Sequence, residues 1–145
     1  NATIDLGECS DICIPHRMTH DAVIDDANTK PTPAIAAALA ARPYSGQDMG
    51  VTSATCALKP TQDGLAITAS MTMASTGGEE VVIIEPGAEG LWMSETETSR
   101  TGETLVAVGE MMTSDGKPVA IDRSDVKITV LGQKHAVEIS GCAPG

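Results

Sequence analysis

Leu65-Ala66-Ile67-Thr68-Ala69-Ser70-Met71-Thr72-Met73 is the stretch that decides the fold. Leu65, Ile67, Ala69, Met71 and Met73 fall on one face at a period of two, the signature of a half-buried β-strand. Asp63-Gly64 before it and Gly77-Gly78 after it read as turns. Upstream, Val51–Lys59 is strand-like. Downstream, Glu80–Glu85 encloses Val81-Val82-Ile83-Ile84, which reads as a buried strand. Leu91–Met93, Thr104–Met112 and Val126–Leu131 follow, and Gly132-Gln133-Lys134 loops into Ala136–Ser140. Short strands separated by turn signals at intervals of roughly 8–12 residues predict an antiparallel sandwich or barrel. There is no Phe, so the core must be built from Val, Ile, Leu, Met and Ala.

The texture differs before residue 45. Residues 1–25 read as an irregular segment carrying Cys9-Ser10-Asp11-Ile12-Cys13-Ile14-Pro15 and two histidines, His16 and His20. Residues 26–44 read as a linker with one short helix. Asp-Ala-Asn-Thr-Lys-Pro-Thr-Pro over 26–33 is a turn or linker. Thr32-Pro33 then supplies an N-cap and a first-turn proline, and Ala34–Ala41 is helical until Pro43. Residues 45–145 are the expected β-domain. The opening Asn1-Ala2-Thr3-Ile4 lacks the charged stretch and apolar core of an export signal, so the chain reads as a piece of a larger exported protein.

Composition narrows the function classes. The chain has 145 residues, 41% of them apolar and 20% charged, which is the balance of a folded domain. Nine basic residues against 20 acidic ones give a net charge of −11, which repels a phosphate backbone or an anionic membrane surface. Aromatic content of 1% argues against base stacking as a route to single-stranded nucleic acid. The longest apolar runs, such as Ala34–Ala41, are too short to span a bilayer.

The four cysteines fit an oxidising compartment such as a periplasm. Four cysteines allow three pairings, and counting alone does not choose. Spacing favours Cys9 with Cys13 and Cys56 with Cys142. A Cys56–Cys142 bond would close a loop of roughly 87 residues and stabilise the fold by about 4.5 kcal/mol through chain entropy. A Cys9–Cys13 bond closes about five residues and gives about 2 kcal/mol. The long-range pair is therefore the structural candidate. The short one is expected to be the more easily reduced, as a redox relay requires. Glu8 and Asp11 would raise a thiol pKa there, whereas His16 and Arg17 would lower it.

Other chemistries draw on the same residues or on weaker signals. Cys9, Cys13, His16 and His20 are four soft or borderline ligands that suit zinc or copper. Pro15 disrupts their presentation on a helix. His135, alone at the start of a strand, reads as a surface residue. Met71, Met73, Met111 and Met112 could offer thioethers to Cu(I), but core packing in a chain short of aromatics explains them better. No histidine accompanies a Gly-x-Ser-x-Gly elbow. Glu79/Glu80 and Asp25/Asp26 read as ordinary surface charge. Gly77-Gly78 and Gly87-Ala88-Glu89-Gly90 are turns, without the Lys-Ser/Thr of a phosphate loop. A non-catalytic β-sandwich interaction module is the third reading.

The string Gly7-Glu8-Cys9-Ser10-Asp11-Ile12-Cys13-Ile14-Pro15 resembles the cysteine motif of the periplasmic N-terminal domain of DsbD/ScsB thiol–disulfide interchange proteins. Weaker matches follow along the chain: Pro33-Ala34-Ile35-Ala36-Ala37-Ala38-Leu39, Cys56, Gly64-Leu65-Ala66-Ile67, Trp92 and Val137-Glu138-Ile139-Ser140-Gly141-Cys142. The resemblance implies an immunoglobulin-like sandwich and a periplasmic location. It implies dithiol–disulfide exchange through Cys9 and Cys13, with either sulfur open to attack, and no organic cofactor. Its expected partners are a transmembrane redox domain, which reduces the pair, and periplasmic substrate proteins, which the pair reduces. It further implies that residues 1–25 end a preceding β-domain and that 45–145 form a second one.

Overall fold

The computed structural model describes residues 1–10, 12–23, 30–62, 64–88, 90–113 and 120–145. They form two compact units, Asn1–Leu39 and Ala40–Gly145. The first holds strands β1 (Ala2–Cys9) and β2 (Cys13–His20) and nearly all of helix α1 (Pro33–Ala40). The second holds β3 (Tyr44–Ser45), β4 (Ser53–Pro60), β5 (Gly64–Thr72), β6 (Val81–Glu85), β7 (Leu91–Met93) and β8 (Glu97–Thr101). It continues with β9 (Thr104–Thr113), β10 (Lys127–Leu131), β11 (Ala136–Ser140) and β12 (Ala143–Pro144). Asp11, Asp63, Glu89, the pair Asp25/Asp26 and the first half of the expected linker over 26–33 lie outside the described residues.

The second unit is an all-β sandwich. One sheet runs β3-β11-β10-β6; the other runs β12-β4-β5-β9-β7, with β8 also paired to β9. Register explains why the two sheets share one core. In the first sheet Val82, Val130 and Val137 form one cross-strand row, and Ile84, Ile128 and Ile139 the next. In the second, Ala54, Met71 and Leu105 form a row beside Cys56, Ala69 and Ala107. Inward side chains of both sheets, with Met73, Met111 and Val126, belong to a single apolar cluster. Burial of each large aliphatic side chain in it stabilises the fold by about 1.5–3 kcal/mol. Most strand pairs are antiparallel, but the short edge strands β3 and β12 run parallel to β11 and β4.

Three expectations need correction. Ala2–Cys9 and Cys13–His20, within the segment expected to be irregular, are regular strands: β1 and β2 form an antiparallel hairpin from Ala2↔His20 to Cys9↔Cys13. Apolar Ile4, Leu6, Ile14 and Met18 already alternate there, and Pro15 masks the pattern. Val81–Ile84 is not buried throughout. Its sheet packs only one face on the core, so Val82 and Ile84 point inward while Val81 and Ile83 stay exposed. Glu80 is not ordinary surface charge, since its side chain is 4% exposed and ion-paired with Arg100. The helix follows its signals: it starts at Pro33, and the Thr32 hydroxyl accepts from the Ile35 N–H at 3.4 Å.

Glu80 organises one end of the sandwich. Its Oε1 accepts from the Thr76 N–H at 2.7 Å and from the buried Thr76 hydroxyl at 2.8 Å. Arg100 clamps the carboxylate through Nε and Nη2, while its Nη1 donates to the Met73 carbonyl at 2.9 Å. The β10–β11 loop docks on the same turn, with the Gln133 and Lys134 N–H groups donating to Gly77 and Thr76 carbonyls. Gly132 is required there, because a Cβ would lie 2.1 Å from Thr76 Oγ1.

Burial alone would raise the Glu80 pKa. The Arg100 guanidinium and the two Thr76 donors overcome it and lower the value to about 2. A carboxylate depressed on folding stabilises the protein above its unfolded pKa and loses that stabilisation as pH falls through the folded one. About 3 kcal/mol should therefore disappear between roughly pH 4.5 and pH 2. Urea unfolding at pH 6 and pH 3 checks it: the wild type should lose more stability on acidification than Glu80→Gln. Equal losses would refute the assignment.

Candidate functional site

Cys9 and Cys13 face one another as the last pair of the β1–β2 ladder, and their sulfurs are bonded. Their Cα atoms are 4.0 Å apart, the spacing of a narrow pair that exchanges no backbone hydrogen bonds. The Ser10 N–H donates to the Ile12 carbonyl at 3.2 Å, as the next pair in the alternation should. The alternation then makes Gly7↔Pro15, Asp5↔Arg17 and Thr3↔Thr19 narrow pairs too. At a narrow position the backbone N–H points out of the hairpin, so Pro15 removes no ladder bond.

Each face of the hairpin has its own chemistry. Cross-strand partners share a face, so Cys9, Cys13, Gly7, Pro15, Asp5 and Arg17 lie together. Arg17 grips Asp5 with two hydrogen bonds, at 2.6 and 3.0 Å. That bond raises the Arg17 pKa further, but both side chains are exposed and solvent screens the pair. The other face carries Ile4, Leu6, Ile14 and Met18 with Glu8, His16 and His20. Every residue of β1 and β2 is exposed, and Ile12 in the connecting loop is 73% exposed. The Cys9–Cys13 bond thus sits at the tip of a solvated ribbon.

This alternation bears on the zinc or copper set. His16 and His20 share one face of β2, and Cys9 and Cys13 lie on the opposite face with their sulfurs bonded to each other. The four residues do not converge, and the described residues contain no cluster of three such ligands. His135 is half-buried with its ring edge-on to Tyr44, centroids 6.0 Å apart. Met71, Met73 and Met111 are buried in the core.

Cys56 and Cys142 are also bonded, with Cα atoms 5.7 Å apart. The bond ties β4 to the two-residue link between β11 and β12, where the row Cys56-Ala69-Ala107 leaves room for it. Cys56 is fully buried. Arg123 fastens the surroundings: its Nε donates to the Cys56 carbonyl at 3.0 Å, and its own carbonyl accepts from the Cys142 N–H at 3.0 Å. A groove of about 640 Å³ runs beside Cys142, with Glu138 the ionisable side chain of its lining.

The sequence had located both cysteine pairs but not their settings. The hairpin register, the outward Pro15 and the uncovered Gly7 were missed. The apolar alternation of β1 was the signal available for finding them.

No family model and no curated protein sequence matches the chain. Among solved structures it is similar to the N-terminal periplasmic domain of ScsB from Proteus mirabilis. The TM-score is 0.66 and the identity 14%, over 99% of this chain and 57% of that one. At that identity the likeness speaks for the fold. The chain spans a little over half the length of that domain.

Proposed function

We propose that this chain is a periplasmic thiol–disulfide interchange module that carries electrons through Cys9 and Cys13. The observation that carries this reading is the contrast between the two disulfides. Cys56–Cys142 fastens β4 to the link between β11 and β12 and reaches into the core. Cys9–Cys13 closes a tight loop at the tip of an exposed ribbon, where a thiol can reach it and no packed core depends on it. A bond so placed contributes little stability and is open to a thiolate nucleophile.

The likeness to a periplasmic ScsB domain supports the same reading, and the cysteine motif resembles that family's. On this reading a membrane-embedded redox domain reduces the pair, and the pair then reduces periplasmic protein disulfides. No described helix is long and apolar enough to cross a membrane. Exchange with glutathione tests the proposal. Cys9 and Cys13 should pass reversibly between thiol and disulfide while Cys56 and Cys142 stay bonded. A first pair that resists reduction as firmly as the second would defeat it.

A further inference from the structure

Resting on that redox reading, we propose that the thiol partner docks as an extended strand along the free edge of β1 and attacks the Cys9 sulfur. Two observations point to this edge and this atom.

The first is edge chemistry. β1 and β2 make a two-stranded sheet, so each has one unpaired edge. The narrow pairs turn their N–H and C=O groups outward. On β1 these are Thr3, Asp5, Gly7 and Cys9, all with donor and acceptor intact. On β2 the outward residue beside Cys13 is Pro15, which has no N–H. A proline at that place blunts an edge against strand addition. The β1 edge is left as the template for an added strand.

The second is the direction of displacement. A thiolate displaces sulfur along the line of the bond it breaks. The Cys9 sulfur is the one on the β1 side, so a strand on the β1 edge brings its thiolate in line with Cys9. Gly7 helps, because the position beside Cys9 on that face carries no side chain. An added Cβ would stand 3.8 Å from the Cys9 sulfur.

Attack on Cys9 expels Cys13 as the thiolate. The electrons balance as follows. The partner thiolate bonds to Cys9, the Cys9–Cys13 bond breaks, and its electron pair leaves on Cys13, which takes up a proton from water. A second partner thiol then resolves the mixed disulfide. The partner dithiol is oxidised by two electrons and the hairpin pair is reduced.

The test uses the oxidised chain and two single-thiol probes. One is the strand-forming peptide acetyl-Thr-Val-Cys-Val-Thr-amide; the other is 2-mercaptoethanol, which cannot form a strand. First-turnover adducts are trapped by acid and N-ethylmaleimide and located by mass spectrometry. Peptide adducts should favour Cys9 over Cys13 by about fivefold or more, the scale of one good cross-strand interaction. Gly7→Pro removes the corresponding donor from the β1 edge without taking a ladder bond. It should remove the peptide's preference and slow the peptide more than 2-mercaptoethanol, with circular dichroism as the folding control. Thr19→Pro makes the same change on the β2 edge and should leave both probes unaffected. Reduction with adducts split evenly or favouring Cys13, or with both proline variants acting alike, would overturn the docking inference while leaving the redox reading intact. A pair that neither probe reduces would overturn both.

Discussion

Replacing Cys56 and Cys142 together by alanine is expected to lower the unfolding free energy of the second unit by about 4.5 kcal/mol. The two residues are 86 positions apart, so the bond removes much of the freedom of the unfolded chain. Native domains are stable by only about 5–15 kcal/mol, so this is a large share. Using both alanines avoids leaving a lone thiol at the fully buried Cys56. The row that holds Cys56 already pairs it with Ala69 and Ala107, so alanine there leaves little new empty space. Urea unfolding measures the loss. The matched change of Cys9 and Cys13 should leave the second unit's midpoint where it was. If the Cys56/Cys142 variant matches the wild type, the bond does not carry the stability assigned to it.

Cys9→Ser is expected to abolish exchange outright while leaving the fold in place. The hairpin is exposed along both strands and contributes no residue to the buried core, so loss of one sulfur should not disturb the sandwich. The exchange needs two sulfurs, one to be attacked and one to leave. A lone Cys13 can form a mixed disulfide but cannot cycle. The assay mixes the variant with a protein disulfide, quenches with acid and follows thiols by alkylation and mass spectrometry. Circular dichroism and the urea midpoint report the fold. Multiple turnovers by the serine variant would refute the redox role of the pair.

Much of the sandwich was legible because alternation is a local signal. Leu65–Met73 reads at period two, and the structure buries Ile67, Ala69, Met71 and Met73. The helix start was legible for the same reason, since Thr32 and Pro33 act on neighbouring residues. What escaped depends on distant partners. Glu80 and Arg100 are 20 residues apart, and nothing near either one announces an ion pair. Whether Val81–Ile84 is covered on one face or on both depends on what packs against its sheet, which the string itself does not contain. The hairpin was hidden by Pro15, whose usual meaning is a break. At a narrow pair on an edge it breaks nothing. Both cysteine pairs were visible from loop length, but their faces and exposure came from register.

The most direct test is a reduction series on the intact chain. Oxidised protein is held at graded ratios of reduced to oxidised glutathione, alkylated over time, and each cysteine is read by mass spectrometry. Cys9 and Cys13 should open and close reversibly, faster by orders of magnitude than Cys56 and Cys142. The buried Cys56 can be reached only after local opening of the sandwich. If both bonds instead open together, or the hairpin bond outlasts the core one, the Cys9–Cys13 pair is a staple and the account of this chain as an electron carrier fails.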